Sequence, residues 1–364
     1  MNFGIDARAA AEVPAGRGRY VRELLRHLAT LPGDDTWELF ARTPWEEPSL
    51  DGRFRWRLID LPDPAWHLAA GLRAGACEAF LSTNSYLTAW VCRCPCAVVV
   101  HDLVTFYPEH KPQRRAAWIE RVTIDWGVRR AASLIAVSEA TRNDLVGRHP
   151  EAGSKAVVIP HAAGGRFRAD PGPDDAELLR ALGVEEPFVL STGTLEPRKN
   201  LVRLIEAFAG LTAGDRTGHE LVLAGPTGWE VQQIVKRVTS HRDVVRTVGH
   251  VSEDELEALY RRAAVFAYPS LYEGFGLPVL EAMQSGTPVL TSNRSSLPEV
   301  AGDAAVYVDP LSSEEIRSAL QGLLVDKGRR KELSRLGVDR ARLFDWRSTA
   351  RATRDLLVQI AEPS

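Results

Sequence analysis

Short apolar runs such as Val98-Val99-Val100, Leu221-Val222-Leu223 and Val289-Leu290 alternate with longer amphipathic stretches along almost the whole chain. Runs of this kind have to be covered on both faces, and the amphipathic segments between them supply helices for that cover. The pattern therefore specifies α/β architecture with parallel, doubly wound sheets. It predicts strands at 2–5, 37–40, 56–59, 79–81, 97–100, 134–137 and 157–159, and a second series at 188–190, 221–224, 244–248, 265–268, 289–291 and 305–308. Tyr20, Val21, Leu24, Leu25, Leu28 and Leu31 recur at helical spacing and are expected to face the first sheet. Ser252-Glu253-Asp254-Glu255 and Ser312-Ser313-Glu314-Glu315 both fit a capping box.

The stretch 161–173, rich in Gly, Pro and Arg, has the composition of a connector. We therefore expect a first domain over 1–165, a second over 166–345 and a final helical segment over 346–364 that starts at Trp346. A chain of 364 residues is long enough for two domains, each with its own core. In such open sheets ligands bind at the carboxyl ends of strands, which places the expected site in a cleft between the two domains.

Composition narrows the classes of function. With 45% hydrophobic and 26% charged residues the chain reads as globular, and a net charge of -3 gives no reason to expect nucleic acid as a partner. No run of 18 apolar residues suggests a membrane span, and the N-terminus begins a strand instead of a signal peptide, so a cytoplasmic location is expected. Three of the four cysteines form Cys92-Arg93-Cys94-Pro95-Cys96, which lacks the paired arms of a structural zinc site. Reduced thiols leading into a buried strand are the expectation.

The most informative single stretch is Tyr268-Pro269-Ser270-Leu271-Tyr272-Glu273-Gly274-Phe275-Gly276-Leu277-Pro278-Val279-Leu280-Glu281. A strand to 268, a loop with two glycines and a helix from Pro278 onward would leave the amides of Gly276, Leu277 and Val279 without intrahelical partners, and such a helix start attracts phosphate. Glu273 and Glu281 are acceptor-only groups beside that anion site, suited to sugar hydroxyls. Read blandly, they are a loop carboxylate and a surface helix residue. The segment EGFGLPVLEAMQSGTPV, in which the two glutamates enclose seven residues, resembles the Glu-x7-Glu signature of the retaining glycosyltransferases of family four. That resemblance implies the GT-B fold, two Rossmann-like domains facing across a cleft, with the acceptor side in the first, the nucleotide sugar in the second and the terminal helix crossing back to the first.

Four other stretches agree in type. Ala15-Gly16-Arg17-Gly18-Arg19-Tyr20 reads as a flexible loop whose bare amides at Gly16 and Gly18 could approach a phosphate or an acceptor, or as a plain connection; Val21 stands where a dinucleotide fingerprint needs its third glycine. His101, in Val98-Val99-Val100-His101-Asp102, is placed at a strand end, and the resemblance implies contact with the transferred sugar. In Ser191-Thr192-Gly193-Thr194-Leu195-Glu196-Pro197-Arg198-Lys199-Asn200, adjacent cations at a helix start make sense if something anionic sits there, and Arg198 with Lys199 suits a diphosphate. In Gly249-His250-Val251-Ser252 the resemblance implies that the backbone of Val251 meets the base. Ser138-Glu139-Ala140-Thr141 reads as a helix cap. One departure from the family is His161-Ala162-Ala163-Gly164, where relatives commonly carry Pro-Asn-Gly-Val at the end of the first domain.

The combined expectation is a retaining hexosyltransferase that takes a nucleoside diphosphate sugar, with GDP, UDP and dTDP all open as the carrier. Arg198, Lys199 and the amides near Gly276 and Leu277 would meet the leaving diphosphate. Glu281 would hold the ribose, Glu273 and His101 would orient the sugar, and Gly193, Thr194, Gly274 and Phe275 would line the donor. No cofactor or metal is expected, since no Asp-x-Asp motif is present. The acceptor could be a saccharide, a lipid-linked saccharide or a small molecule. A nucleotide-sugar epimerase would need acid and base groups acting on the ring. A pseudo-glycosyltransferase could keep every one of these motifs, while intact Glu273, Glu281, Arg198 and Lys199 argue against a non-catalytic partner subunit. Arg114, Arg115, Arg121, Arg129 and Arg130, interleaved with Trp118, Val122 and Trp126, read either as a basic aromatic surface for anionic lipid at the inner membrane face or as a solvated helix packed through its tryptophans.

Overall fold

The computed structural model describes residues 1–13, 16–110, 112 and 114–362. The chain forms two compact units. The first comprises Met1–Phe106, Arg114–His161 and the residues from Asp345 on; the second comprises Tyr107–Gln113 and Ala162–Phe344.

The first unit is built on a seven-stranded sheet with strands β1 (Asn2–Asp6), β2 (Thr36–Ala41), β3 (Phe54–Leu58), β4 (Ala79–Ser82), β5 (Cys96–Val100), β6 (Ser133–Ala136) and β7 (Ala156–Val158), in the order β3-β2-β1-β4-β5-β6-β7. Every pairing is parallel. The central strands β4 and β5 are buried at every position, which explains their uninterrupted apolar sequence. The Arg17–Ala29 helix buries Tyr20, Val21, Leu24, Leu25 and Leu28, and the Trp346–Ala361 helix packs on it. Cys77, Cys92 and Cys96 lie in the core and Cys94 is half-buried; all four are free thiols.

The second unit has a six-stranded sheet with β8 (Phe188–Thr192), β9 (Glu220–Ala224), β10 (Val245–Gly249), β11 (Val265–Tyr268), β12 (Val289–Ser292) and β13 (Ala305–Val308), in the order β10-β9-β8-β11-β12-β13 and again parallel throughout. The Leu201–Ala209 helix contributes Leu204, Ile205 and Phe208 to the core beneath it. Ser252 and Glu255 form the full reciprocal capping box. At the other expected box only half forms: Ser312 accepts from the Glu315 amide at 3.1 Å, but the Glu315 carboxylate reaches the Asp309 amide at 2.9 Å instead.

Two boundaries differ from the sequence expectation. The stretch read as a connector belongs to the second unit from Ala162 on, because Ala162, Ala163 and Phe167 are buried, the Phe167 ring meets Tyr260 edge-on at 5.6 Å, and Arg166 pairs with Asp254 at 2.6 Å. Its glycines and arginines give it a linker composition, yet Phe167, the two buried alanines and the Arg166 ion pair anchor it. Tyr107–Gln113 also joins the second unit, where the rings of Tyr107 and His110 lie 5.1 and 5.7 Å from that of Tyr272.

Candidate functional site

Strands β8 and β11 are parallel neighbours, so the loops leaving their carboxyl ends emerge side by side. The first loop carries Glu196, Arg198 and Lys199, and the second carries Ser270 and Glu273. They are tied together through the Arg198 carbonyl, which accepts from the Leu271 amide at 2.9 Å and from Ser270 Oγ at 3.0 Å. Asn200 takes a left-handed backbone, and its side-chain amide donates to the carbonyls of Pro269 at 3.0 Å and Pro310 at 2.6 Å, so the loop turns sharply without leaving those carbonyls bare.

This geometry brings Arg198, Lys199 and Glu273 into one buried cluster. Glu273 Oε2 accepts from Arg198 Nη1 at 2.5 Å; Oε1 accepts from Lys199 Nζ at 2.7 Å, Ser270 Oγ at 2.7 Å and Tyr268 Oη at 2.9 Å. Lys199 also donates to the Tyr268 hydroxyl, and Arg198 Nε donates to Glu196 Oε1 at 2.9 Å. Burial alone would raise the Glu273 carboxyl, but Arg198 and then Lys199 override it and hold it at about 2. Burial and the neighbouring Arg198 lower the Lys199 ammonium, against the pull of Glu273 and Glu196. Two cations and two carboxylates thus balance, and each buried charge has a partner.

The loop after Glu273 is held from the loop that follows β12. Ser295 Oγ accepts from the Glu273 amide at 2.8 Å, and Ser296 Oγ donates to the carbonyls of Glu273 at 2.9 Å and Phe275 at 2.7 Å. Gly276 caps the Leu277–Gln284 helix with φ of 108°, a conformation that favours glycine. The expectation of an open Val279 amide does not hold, because that amide turns back to the Gly276 carbonyl at 3.0 Å. Glu281 is no surface helix residue: it is buried and accepts from the Tyr260 hydroxyl at 3.1 Å, which in turn lies 2.8 Å from Thr192 Oγ1 at the end of β8. Gly193 lies along the Lys199 side chain, where an added Cβ would meet Cε at 3.5 Å. The Phe275 ring packs against Phe344 at 5.7 Å. Thr194 abuts Gly228, and Val251 follows β10 directly ahead of the Ser252 cap, so neither enters the polar cluster.

In the first unit His101 follows β5. Its Nε2 lies 2.8 Å from the Thr83 carbonyl, which can only accept, so Nε2 carries the hydrogen and Nδ1 is left as an acceptor. Burial, with Arg17 adding, brings its pKa down to about 4. The ring stacks on His161 at 5.6 Å and meets the Tyr20 ring edge-on at 5.2 Å; His161 also contacts Trp346 at 5.9 Å. Arg17 donates to Asn84 Oδ1 at 2.8 Å. The flexible glycine loop expected here is corrected: the helix already begins at Arg17, and Gly18 is buried in its first turn, where a Cβ would sit 1.8 Å from the Val13 carbonyl oxygen. Gly18 is required by packing, while Gly16 stands just ahead of the helix with φ of 53°. Ala15 lies outside the described residues. Ser138 is the helix cap expected of it, accepting from the Thr141 amide at 3.0 Å.

Sequence reasoning gave no site role to Glu196, Tyr268, Ser270, Ser295 and Ser296, which hold the cluster and its loop, to Tyr260, which holds Glu281, or to Tyr20, His161 and Trp346, which meet around His101. Glu196, Tyr268 and Ser270 fall inside the quoted stretches, and the serine pair follows a strand in Asn293-Arg294-Ser295-Ser296.

Comparison with known proteins gives a consistent picture. The model described as glycosyl transferases group 1 matches residues 178–338, and that of Glycosyltransferase Family 4 matches residues 14–163. The chain is 32% identical over 258 residues to O-antigen chain mannosyltransferase B of Escherichia coli, covering 70% of this chain and 67% of that protein. It is 29% identical over 271 residues to the serotype-specific mannosyltransferase WbdA of Escherichia coli, covering 72% of this chain and 32% of that protein. The chain therefore spans about a third of the length of that relative. Among solved structures it matches sucrose-phosphate synthase from Thermosynechococcus elongatus with a TM-score of 0.78 at 21% identity, covering 99% of each chain. It also matches Anabaena HepE in complex with UDP and glucose, with a TM-score of 0.76 at 19% identity over 98% of this chain and 99% of the other. These structural likenesses establish the GT-B fold.

Proposed function

Because the chain belongs to the group 1 glycosyltransferases of family four, we propose that it moves a hexose from a nucleoside diphosphate sugar to an acceptor hydroxyl with retention of anomeric configuration. The observation that carries this reading is the buried Arg198, Lys199 and Glu273 cluster at the ends of two neighbouring strands. The second unit carries the donor and the first the acceptor side. Arg198 and Lys199 stabilise the diphosphate as it leaves, assisted by the amides near Gly276 and Leu277. Glu281 holds the ribose. Glu273 keeps the two cations buried and oriented before the donor arrives and turns toward sugar hydroxyls once phosphate takes over part of its role. His101 Nδ1 accepts from a sugar hydroxyl as an uncharged imidazole. Gly193, Thr194, Gly274, Phe275 and the Val251 backbone complete the donor lining.

In the reaction the bond from the anomeric carbon to the phosphate oxygen breaks, and its electron pair leaves with the diphosphate. The acceptor oxygen bonds to the same face of that carbon and passes its proton to the departing phosphate oxygen. No side chain is needed as a nucleophile. The names of the relatives support mannose as the hexose. GDP, UDP and dTDP are the candidate carriers. The acceptor is a saccharide or small molecule, and a lipid-linked saccharide would bring the enzyme to the cytoplasmic membrane face as a peripheral protein. The charge of the donor is met by side chains and amides, so turnover needs no divalent cation.

A thermal-shift screen with the three nucleoside diphosphates and their hexoses identifies the carrier, since a ligand at 100 times its Kd stabilises by about 2.7 kcal/mol. With that donor and a saccharide acceptor, nuclear magnetic resonance of the product is expected to show the anomeric configuration of the donor, at undiminished rate in chelator. An inverted product would overturn retention, and activity restored only by manganese would overturn metal independence.

A further inference from the structure

The Arg114–Arg130 helix is held to the first unit by one face only. Ala117, Ile124 and Val128 are buried, the Thr123 carbonyl accepts from Trp90 Nε1 at 3.0 Å, and Gly127 lies against Tyr86. The opposite face is apolar as well. Trp118 is 67% exposed, Val122 52%, Trp126 51% and Ile119 41%. The tryptophans therefore do not pack the helix down; they point away from the protein. Trp118, Val122 and Trp126 follow one another at four-residue spacing, in a single stripe roughly 12 Å long at 1.5 Å per residue.

The polar residues on this face are mostly basic. Arg129 and Arg130 are exposed, against one exposed carboxylate of the helix, Asp125, which faces His149 at 3.6 Å; Arg121 is turned aside, its Nε donating to the Thr105 carbonyl at 2.8 Å. Arg129 has a second-row partner in Glu151 at 3.6 Å yet keeps 66% of its side chain exposed. The side chains of Arg114 and Arg115 lie outside the described residues. A locally positive face on a chain of net charge -3 is a departure from the average surface and indicates an anionic partner. Tryptophan is suited to a boundary that is apolar on one side and wet on the other, and arginine to phosphate. A second copy of the chain would bring two more arginines to the same patch, which disfavours self-association there. No helix among the described residues is long and apolar enough to cross a membrane, so the contact would be a surface one.

We propose that the exposed Trp118, Val122 and Trp126 stripe, flanked by Arg129 and Arg130, seats the protein on an anionic lipid bilayer with the helix lying in the headgroup plane. This rests on the surface chemistry of the first unit and does not depend on the glycosyl-transfer reading. The test is co-sedimentation of the full chain with vesicles of phosphatidylglycerol in phosphatidylcholine, compared with phosphatidylcholine alone, at low and high salt. The protein is expected to bind the anionic vesicles only, more weakly as salt rises. Trp118→Ser with Trp126→Ser is expected to reduce binding about tenfold or more. Arg129→Glu with Arg130→Glu is expected to do so at low salt, with most of the salt dependence lost. All four positions are exposed, and unchanged melting temperatures would show that the variants fold. No binding at low salt, or equal binding by the tryptophan variant, would overturn the proposal. So would a dimer in sedimentation equilibrium that the tryptophan variant abolishes, since it would assign the patch to a second copy.

Discussion

The two units place a buried polar centre at comparable points, after β11 in the second and after β5 in the first, and solve the burial problem in opposite ways. Around Glu273 the groups stay charged, and each charge is met by an opposite one: Arg198, Lys199, Glu196. Around His101 the basic group is neutral. Burial has lowered its pKa, a carbonyl fixes its tautomer, and aromatic rings of Tyr20 and His161 fill the space a counter-ion would occupy. A charged, balanced centre can exchange one anion for another, which suits a departing diphosphate. A neutral centre can only offer shape and hydrogen bonds, which suits a sugar.

The sharpest way to break this contrast is to remove a cation. Lys199→Ala leaves Glu273 with one of its two cations, and turnover is expected to fall on the order of a hundredfold to a thousandfold, the scale of losing one preorganised charge-stabilising donor. Initial rates for Lys199→Ala and His101→Ala decide it, because an equal loss in the histidine variant would mean the first unit bears as much of the developing charge.

A finer division concerns the two glutamates. Glu273→Gln frees the cations for phosphate, so affinity for the bare nucleoside diphosphate is expected to hold or rise while turnover drops roughly tenfold to a hundredfold, as for one charged hydrogen bond. Glu281→Gln is expected to weaken both by a similar factor. Titration calorimetry of the two variants checks this, and matched affinity losses would reverse the assignment.

The smallest effect is in acid. Glu273 is held at about 2 against an ordinary 4.5, so its stabilisation is present above pH 4.5 and disappears as pH falls toward 2. His101 lies at about 4 against 6.5, so its neutral burial stabilises above pH 6.5 and the gain is lost toward pH 4. Asp6 at about 6 and Glu120 at about 7, both raised by burial, act with the opposite sign in the same window, so differences between proteins are the informative quantity. The gap in melting temperature between the protein and His101→Asn is expected to narrow between pH 6.5 and 4, and the gap to Glu273→Gln only below 4.5.

Much of the fold could be read directly because buried parallel strands leave contiguous apolar runs, and each expected strand is present with ends displaced by a residue or two. The charged centre was legible for a related reason: Arg198, Lys199 and Glu273 are conspicuous beside strand ends. Partners brought in from elsewhere were not. Tyr20, His161 and Trp346 meet around His101 from widely separated positions, and nothing local in the sequence marks them. Gly18 was misread because a glycine beside a turn suggests freedom, when here it marks the closest backbone approach of the Val13 carbonyl to a helix. The connector was misread because composition averages over Phe167.

The helix from Trp346 to Ala361 completes the unit that contains the first strand. It buries Trp346, Leu356 and Leu357, donates from Thr349 Oγ1 to the Pro160 carbonyl at 2.8 Å and pairs Arg354 with Asp35 at 2.5 Å. On the ribosome the unit begun first is therefore finished last. Residues 162–344 must be translated in between, which at roughly 5–20 residues per second takes about ten to forty seconds. Throughout that interval the surface of the Arg17–Ala29 helix that awaits its partner stays uncovered, so the nascent chain is most exposed to aggregation and to chaperones through its earliest-made half.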